Sequence, residues 1–210
     1  PEDEVALAEA AGWMHRTDTQ FHWFNEGFGT FEDFLGAMSS RHRKSTRRER
    51  RDALGEHGLT VRWLTGGDLT ESVWDAFFSF YMDTGSRKWG HPYLNREFFS
   101  LLSAAMADRI LLIFAYDGDE PVAGTLNMIG ADTLFGRYWG ATRHVPFLHF
   151  ELCYYQSIDF AIAHRLRKVE AGAQGDHNLA RGYAPSTTHS THWIAPDGPR
   201  QAVAGYLARA

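Results

Sequence analysis

Apolar positions along the chain follow two periods, and these divide it into elements. LTVRWL (59–64) alternates between Gly58 and the Gly66–Gly67 pair and reads as a strand. Val73, Trp74, Phe77, Phe78 and Tyr81 recur at helical spacing, which predicts a helix over 70–83. After a loop at 85–93, Asn95 caps a second helix to about Ala107, with Phe98, Leu101, Leu102 and Met106 inward. RILLIFAY (109–116), PVAGTLNMIG (121–130) and TLFGRYWGA (133–141) form a meander that turns at Asp117–Gly118 and Ala131–Asp132. Residues 147–165 are apolar on most helical faces, as expected of a helix buried on two sides. RKVEAGAQG (167–175) reads as a short strand with Val169, Ala171 and Ala173 on one face and Glu170 and Gln174 on the other. A brief helix (176–183), a β-branched strand (186–194) and a closing helix (199–209) follow.

The pattern before residue 59 is weaker. Residues 1–20 are polar and Ala-rich, which predicts a helical lead-in, and 21–31 are aromatic and Gly-punctuated, a loop or short strand. Thr30 and Asp33 have capping-box spacing. They open a helix predicted to run unbroken from Phe31 to about His57, where Gly58 stops it, a length of about 40 Å. Phe31, Phe34, Leu35 and Met38 make its start apolar, and its second half is nearly all charge. The helix is therefore expected to dock by its start and project its basic part. With no repeat and no linker, residues 21–210 read as a single α/β domain behind a 1–20 lead-in.

Composition narrows the class. Of 210 residues, 44% are hydrophobic and 22% charged, which excludes disordered and low-complexity chains. One Cys cannot form an internal disulfide, which fits a reducing compartment and predicts a cytoplasmic protein. No apolar run reaches the roughly 18 residues of a membrane span. The opening PEDEVALAEAAG is acidic, unlike a signal peptide. It also lacks Met, as expected of a piece cut from a longer chain or of a processed form. RHRKSTRRERR (41–51) holds seven Lys or Arg against one Glu, so the rest of this net −5 chain carries −11. Lys44, Arg47, Arg48 and Arg51 lie along one broad helical stripe. Such a stripe is either a solvated face or a track for a polyanion such as tRNA. With no aromatic residue interleaved, it would touch phosphates and not bases.

Several residue pairs invite a chemical reading. Glu170 sits among small residues on a strand, where a carboxylate is costly unless paired. It reads either as a salt bridge to Arg137 or Arg181, or as a general base that takes a proton from an attacking amine. His149 and Glu151 point about 200° apart on a helix, so they cannot share one ion, and no metal site is expected. His149 shares a face with Cys153, a pairing that is either nucleophile and base or simple packing. His177 and Arg181, at i and i+4, could clamp a carboxylate or phosphate, or serve as a cap and surface charge. Lys88 and Trp89 could form a lid. Tyr138 is a core residue or a substrate platform.

The order of elements resembles the GNAT-type N-acyltransferase fold, a mixed and mostly antiparallel sheet flanked by helices. KWGHPYL (88–94), GTLNMIG (124–130), GRYWGA (136–141), LHFELCYYQ (148–156) and EAGAQGDHNLARGY (170–183) resemble the FemAB-like family. That resemblance covers about residues 21–207 and implies an N-acyltransferase linked to peptidoglycan biosynthesis in bacteria. It also implies a C-terminal half, since relatives look like tandem GNAT units nearly twice this length. In GNAT enzymes the segment between the fourth strand and the long helix holds the pyrophosphate of acyl-CoA, with paired glycines. Here it reads GATRHVPFLHFE (140–151), without that pair and with Pro146 removing a donor. Weak acetyl-CoA binding is expected. The donor is acyl-CoA or, as the FemAB resemblance suggests, aminoacyl-tRNA. Glu170 or His149 would be the base, and Lys88, Trp89, Arg137, Tyr138, Gln174, His177 and Arg181 would surround the substrate. The rival readings are a module that binds RNA or a cell-wall fragment without turnover, and the scaffolding half of a two-unit transferase.

Overall fold

The computed structural model describes residues 2–87, 92–172 and 176–207. Seven strands form one sheet in the order β2-β3-β4-β5-β6-β1-β7. These are β1 Met14–Phe24, β2 Leu59–Leu64, β3 Ile110–Asp117, β4 Glu120–Ile129, β5 Thr133–Ala141, β6 Lys168–Glu170 and β7 Ala184–His192. Every neighbouring pair is antiparallel except β5 with β6. The main helices are α1 Glu2–Ala10, α2 Phe31–Ala37, α3 Ser40–Leu54, α4 Glu71–Arg87, α5 Arg96–Met106, α6 Leu148–Phe150, α7 Gln156–Ala163 and α8 Asp197–Leu207. This is the GNAT-like arrangement that the element order predicts.

The sheet has a core on each face. Ile110, Leu112, Phe114 and Leu126 point toward α4 and α5, where Trp74, Phe77, Phe80 and Phe99 close a ring-rich layer. Leu111, Ile113, Leu134 and Val169 point the other way, onto Leu152, Tyr155 and Ile158. Because strand side chains alternate, this sorting fixes the face of every residue in register with them. α4 lies close on β5: a Cβ added to Gly140 would come 2.0 Å from the carbonyl oxygen of Phe80.

The region before residue 59 departs most from the sequence reading. The lead-in is α1 followed, past Gly12 at φ 80°, by the long strand β1. Residues 14–22 of β1 pair with β7 along its whole length. Polar side chains on both faces of residues 15–19 hid this strand, because it forms a ribbon exposed on both sides. The capping box at Thr30 forms as expected, with Asp33 Oδ2 accepting from Thr30 N at 2.8 Å. The helix it opens is not continuous, however. Met38 is extended (ψ 156°), and Ser39 starts α3 by accepting from His42 N. A Ser–Ser pair that can cap outweighs the helical run on either side. The 167–175 strand is also shorter than expected: it is in register with both neighbours only at 168–170, and two further bonds to β1, from Ala171 N to Phe21 O at 3.1 Å and from Phe21 N to Gly172 O at 3.0 Å, carry it to Gly172, where the chain turns at φ 83°. The long helix 147–165 contains a π-helical turn, Glu151–Tyr155, between α6 and α7.

Candidate active site

A cleft opens where β5 and β6 part. They pair at Thr133↔Lys168, Leu134↔Val169 and Phe135↔Glu170, and there β6 ends. β5 runs on to Ala141, held on its other side by β4. Residues 137–140 therefore present an edge that pairs with no strand on that side among the described residues. A strand edge carries free N–H and C=O groups from alternate residues. The register of β4 against β5 slips at this level: Leu126 faces Tyr138 and Asn127 faces Gly136, so Arg137 is the extra residue of a β-bulge. A bulge bends its strand and re-aims side chains. Arg137 is exposed there and makes no ion pair among the described residues. Gly136 keeps the mouth narrow, since a Cβ on it would lie 3.2 Å from the Glu170 carbonyl oxygen.

Glu170 stands at the mouth on the α4–α5 face, beside Phe135. It pairs with neither arginine suggested by the sequence. Its Oε1 takes Lys168 Nζ at 2.6 Å and lies 3.8 Å from Nε2 of His22, directly across on β1. The reason is strand geometry: Lys168 is two residues back on the same face. Arg181 is pulled to the opposite side of the sheet. Tyr138, on the same face as Glu170, meets Tyr81 edge-on at 5.3 Å and hydrogen-bonds the hydroxyl of exposed Tyr93. Burial and that hydrogen bond push the Tyr138 phenol up to about 12.

His149 lies on the other face and is not brought to Glu170. With Trp139, Ala141, Arg143, His144 and Phe147 it lines a cavity of about 490 Å³ at the end of β5. Its ring meets Trp139 at 5.3 Å and Tyr154 at 5.7 Å, both edge-on. Arg143 is tied to Asp117 at 2.8 Å. Lys88, Trp89 and Gln174, and the side chain of His177, lie outside the described residues.

Arg181 is not the surface cation of the i, i+4 reading. It is buried, donates to Glu49 Oε2 at 2.8 Å and covers the ring of Phe150. Glu49 also accepts from the Tyr155 hydroxyl. Arg50, the next residue, donates to both oxygens of fully buried Glu151 at 2.9 and 3.1 Å and to Asp159 at 2.7 Å. Gln156 gives Glu151 a third donor at 2.7 Å. Burial raises the carboxyls of Glu151 and Asp159, and Arg50 partly offsets this. α3 is thus anchored through its middle instead of projecting freely. The signal was present: Thr46, Glu49, Arg50 and Ala53 sit at i, i+3, i+4 and i+7, a helical face, although a polar one. Lys44, Arg47, Arg48 and Arg51 are exposed on the remaining surface. Arg47 meets Glu32 and Arg51 meets Asp52, while Lys44 and Arg48 meet no carboxylate among the described residues.

A family model for FemAB-like proteins, described as peptidoglycan biosynthesis/recognition, matches residues 1–210. A sequence search of curated proteins found no match. Among solved structures, L-PGS from Bacillus licheniformis superposes with a TM-score of 0.67 at 8% identity, over 97% of this chain and 68% of that one. FemX superposes with a TM-score of 0.66 at 12% identity, over 96% of this chain and 70% of that one. Identities this low speak to the fold. No described helix is long and apolar enough to cross a membrane.

Proposed function

This chain belongs to the FemAB-like family, and from that premise we propose that it is a transferase moving an aminoacyl or acyl group onto an amine of a peptidoglycan precursor. The observation that carries the reading is the open edge of β5 at 137–140 with Glu170 beside its origin. An acyl carbonyl laid along that edge meets fixed N–H donors, which stabilise the oxyanion as the amine adds. Those donors are preorganised by the β4 ladder and need not move. Glu170, with Lys168 and His22, supplies the acid–base end of the cleft. Arg137, on its bulge, and Tyr138 border the space for the acceptor.

An aminoacyl-tRNA donor suits the chain better than acyl-CoA. The 140–147 segment has no glycine pair for a pyrophosphate, and Arg143 is already held by Asp117. The exposed stripe Lys44, Arg47, Arg48 and Arg51 gives a tRNA backbone a positively charged track. A tRNA donor would also place the reaction in the cytoplasm. The test is transfer of radiolabel from mixed aminoacyl-tRNA to a UDP-linked muropeptide, with acetyl-CoA in a parallel reaction and in calorimetry. Transfer from tRNA with acetyl-CoA inert is the expected result. Micromolar acetyl-CoA affinity would overturn the choice of donor. No transfer from either, with intact folding, would overturn the transferase reading.

A further inference from the structure

We propose that the cavity at the end of β5 holds the terminal nucleoside of an RNA donor, with its base against the ring of Trp139. The inference rests on the transferase reading above and gives its donor a subsite. The sequence marked this segment only by what it lacks, the glycine pair.

Position comes first. The cavity and the open edge share Trp139. Thr142 N donates to Val122 O at 3.0 Å, and bonds alternate along an antiparallel ladder. Trp139, three residues back in the same register, therefore turns its own N–H and C=O away from β4, to the open side. Its ring lines the cavity. From Phe135, which lies across from Glu170, to Trp139 is four residues, roughly 10–13 Å along a bulged strand. The amine is acylated at the Glu170 end, so the cavity receives what lies on the far side of the ester. In an aminoacyl-tRNA that is the ribose bearing the ester and, one sugar away, the base. In acyl-CoA the whole pantetheine arm separates thioester from base, and an extended arm is longer than this span.

The chemistry of the walls agrees. The volume, about 490 Å³, is that of a small-molecule site and exceeds what one amino-acid side chain fills. Trp139, Phe147, His149 and Phe150 supply rings, the kind of wall on which a base stacks. Thr84 closes the space from α4 on one side of the sheet, while His149 and Phe150 close it from the other. The lining holds no carboxylate among the described residues. Arg143 and His144 are exposed and suit the phosphate that joins the last nucleotide to the one before it. Asp117 already neutralises part of Arg143, so stacking carries the larger share. Phe147 is held at φ 62°, a conformation that a bulky residue keeps only where its surroundings impose it. The helical run that starts at Leu148 is also the one that α3 grips through Arg50 and Glu151. RNA laid on the basic stripe and a base in the cavity would thus be held by the same helix.

The test is equilibrium binding of an RNA minihelix ending in CCA, and of the same minihelix whose last residue carries no base. Parent, Trp139→Leu and Thr84→Phe are compared, each checked for folding by thermal melting. The parent should bind the complete minihelix about 5- to 100-fold more tightly than the abasic one, the worth of one base stacked on aromatic side chains. Trp139→Leu removes the platform, and Thr84→Phe fills the space while leaving the rings in place. Each should bring that ratio toward one and leave the salt slope, which reports phosphate contacts, unchanged. Gln at Lys44, Arg47, Arg48 and Arg51 should instead weaken both minihelices alike and keep the ratio. A parent that binds the two minihelices equally overturns this inference alone. So does an unchanged ratio in either variant that folds. CoA that displaces the minihelix at micromolar concentration would give the cavity to acyl-CoA and overturn it as well. A folded parent that binds no minihelix overturns the choice of a tRNA donor, and this inference falls with it.

Discussion

Replacing Arg50 by Met removes one charge from a buried cluster and keeps most of the side chain's volume. Glu151 is fully buried, and two of its three donors come from Arg50. Without them its carboxylate keeps only Gln156. Breaking a buried pair from one side costs about 3–5 kcal/mol, because the remaining charge stays desolvated. For a chain of this length that corresponds to a fall in Tm of roughly 6–20 °C. Asp159, about one-quarter exposed, can rehydrate and adds little.

The sign of the pH dependence separates this account from a simple packing defect. Burial already raises the Glu151 carboxyl above its ordinary value, with Arg50 pulling it down. Removing Arg50 raises it further. A carboxyl raised by folding binds more protons in the folded state, so its penalty is full above the folded value and fades as pH falls toward the ordinary range. Urea unfolding of parent and variant at about pH 8 and about pH 5 measures this. The gap should be large at the higher pH and distinctly smaller at the lower. Arg50→Met/Glu151→Met, which removes both charges, should recover most of the loss. A gap below about 1 kcal/mol, the value of a solvated surface pair, would refute the reasoning. So would a gap equal at both pH values.

Three further outcomes are expected. Gln at Lys44, Arg47, Arg48 and Arg51 together should leave Tm nearly unchanged and flatten the slope of log K for tRNA against log salt by about 0.7–0.9 per lost contact; an unchanged slope would leave the stripe as a solvated face. Gly140→Ala should cost about 1–3 kcal/mol or more in urea unfolding, because its Cβ would overlap the backbone of Phe80 in α4, which cannot swing aside. Gly36→Ala, in α2 with no heavy atom within 4 Å of the new methyl, should instead gain about 0.5–1 kcal/mol in the same assay.

How far the fold was legible depends on how each element is held. The meander from β3 to β5 and the helices α4 and α5 carry their own period and caps, and the sequence places them within a few residues. β1 does not, because a ribbon exposed on both faces has no apolar alternation to read. Its pairing with β7 joins residues far apart in the chain. The break at Met38–Ser39 was hidden for a different reason: capping residues inside a helical run are neutral until tertiary contacts choose between them. At the candidate site, Glu170 stood out because a carboxylate among Ala and Gly is conspicuous. His22 did not, since its meaning depends on register with a strand almost 150 residues away.

The same distinction explains why the basic run was half misread. Counting charge over 41–51 treats its residues as one group, but a helix sorts them by angle. Glu49 and Arg50 point inward to two different partners, Arg181 after β6 and Glu151 on the π turn. Those two elements follow β6 and β5, the strands that border the cleft. α3 is therefore tied to both sides of the place where donor and acceptor would meet, while its outer face keeps Lys44 and Arg48 clear of carboxylates and Arg47 and Arg51 in exposed pairs. A polyanion held on that face would have a fixed position relative to the β5 edge. If α3 registers a tRNA donor in this way, Arg50→Met, assayed well below its lowered Tm, should raise KM for aminoacyl-tRNA without moving the acid limb of the pH profile. Glu170→Gln should do the reverse. If both variants shift the same parameter, the helix and the cleft do not act as separate donor-binding and proton-transfer parts.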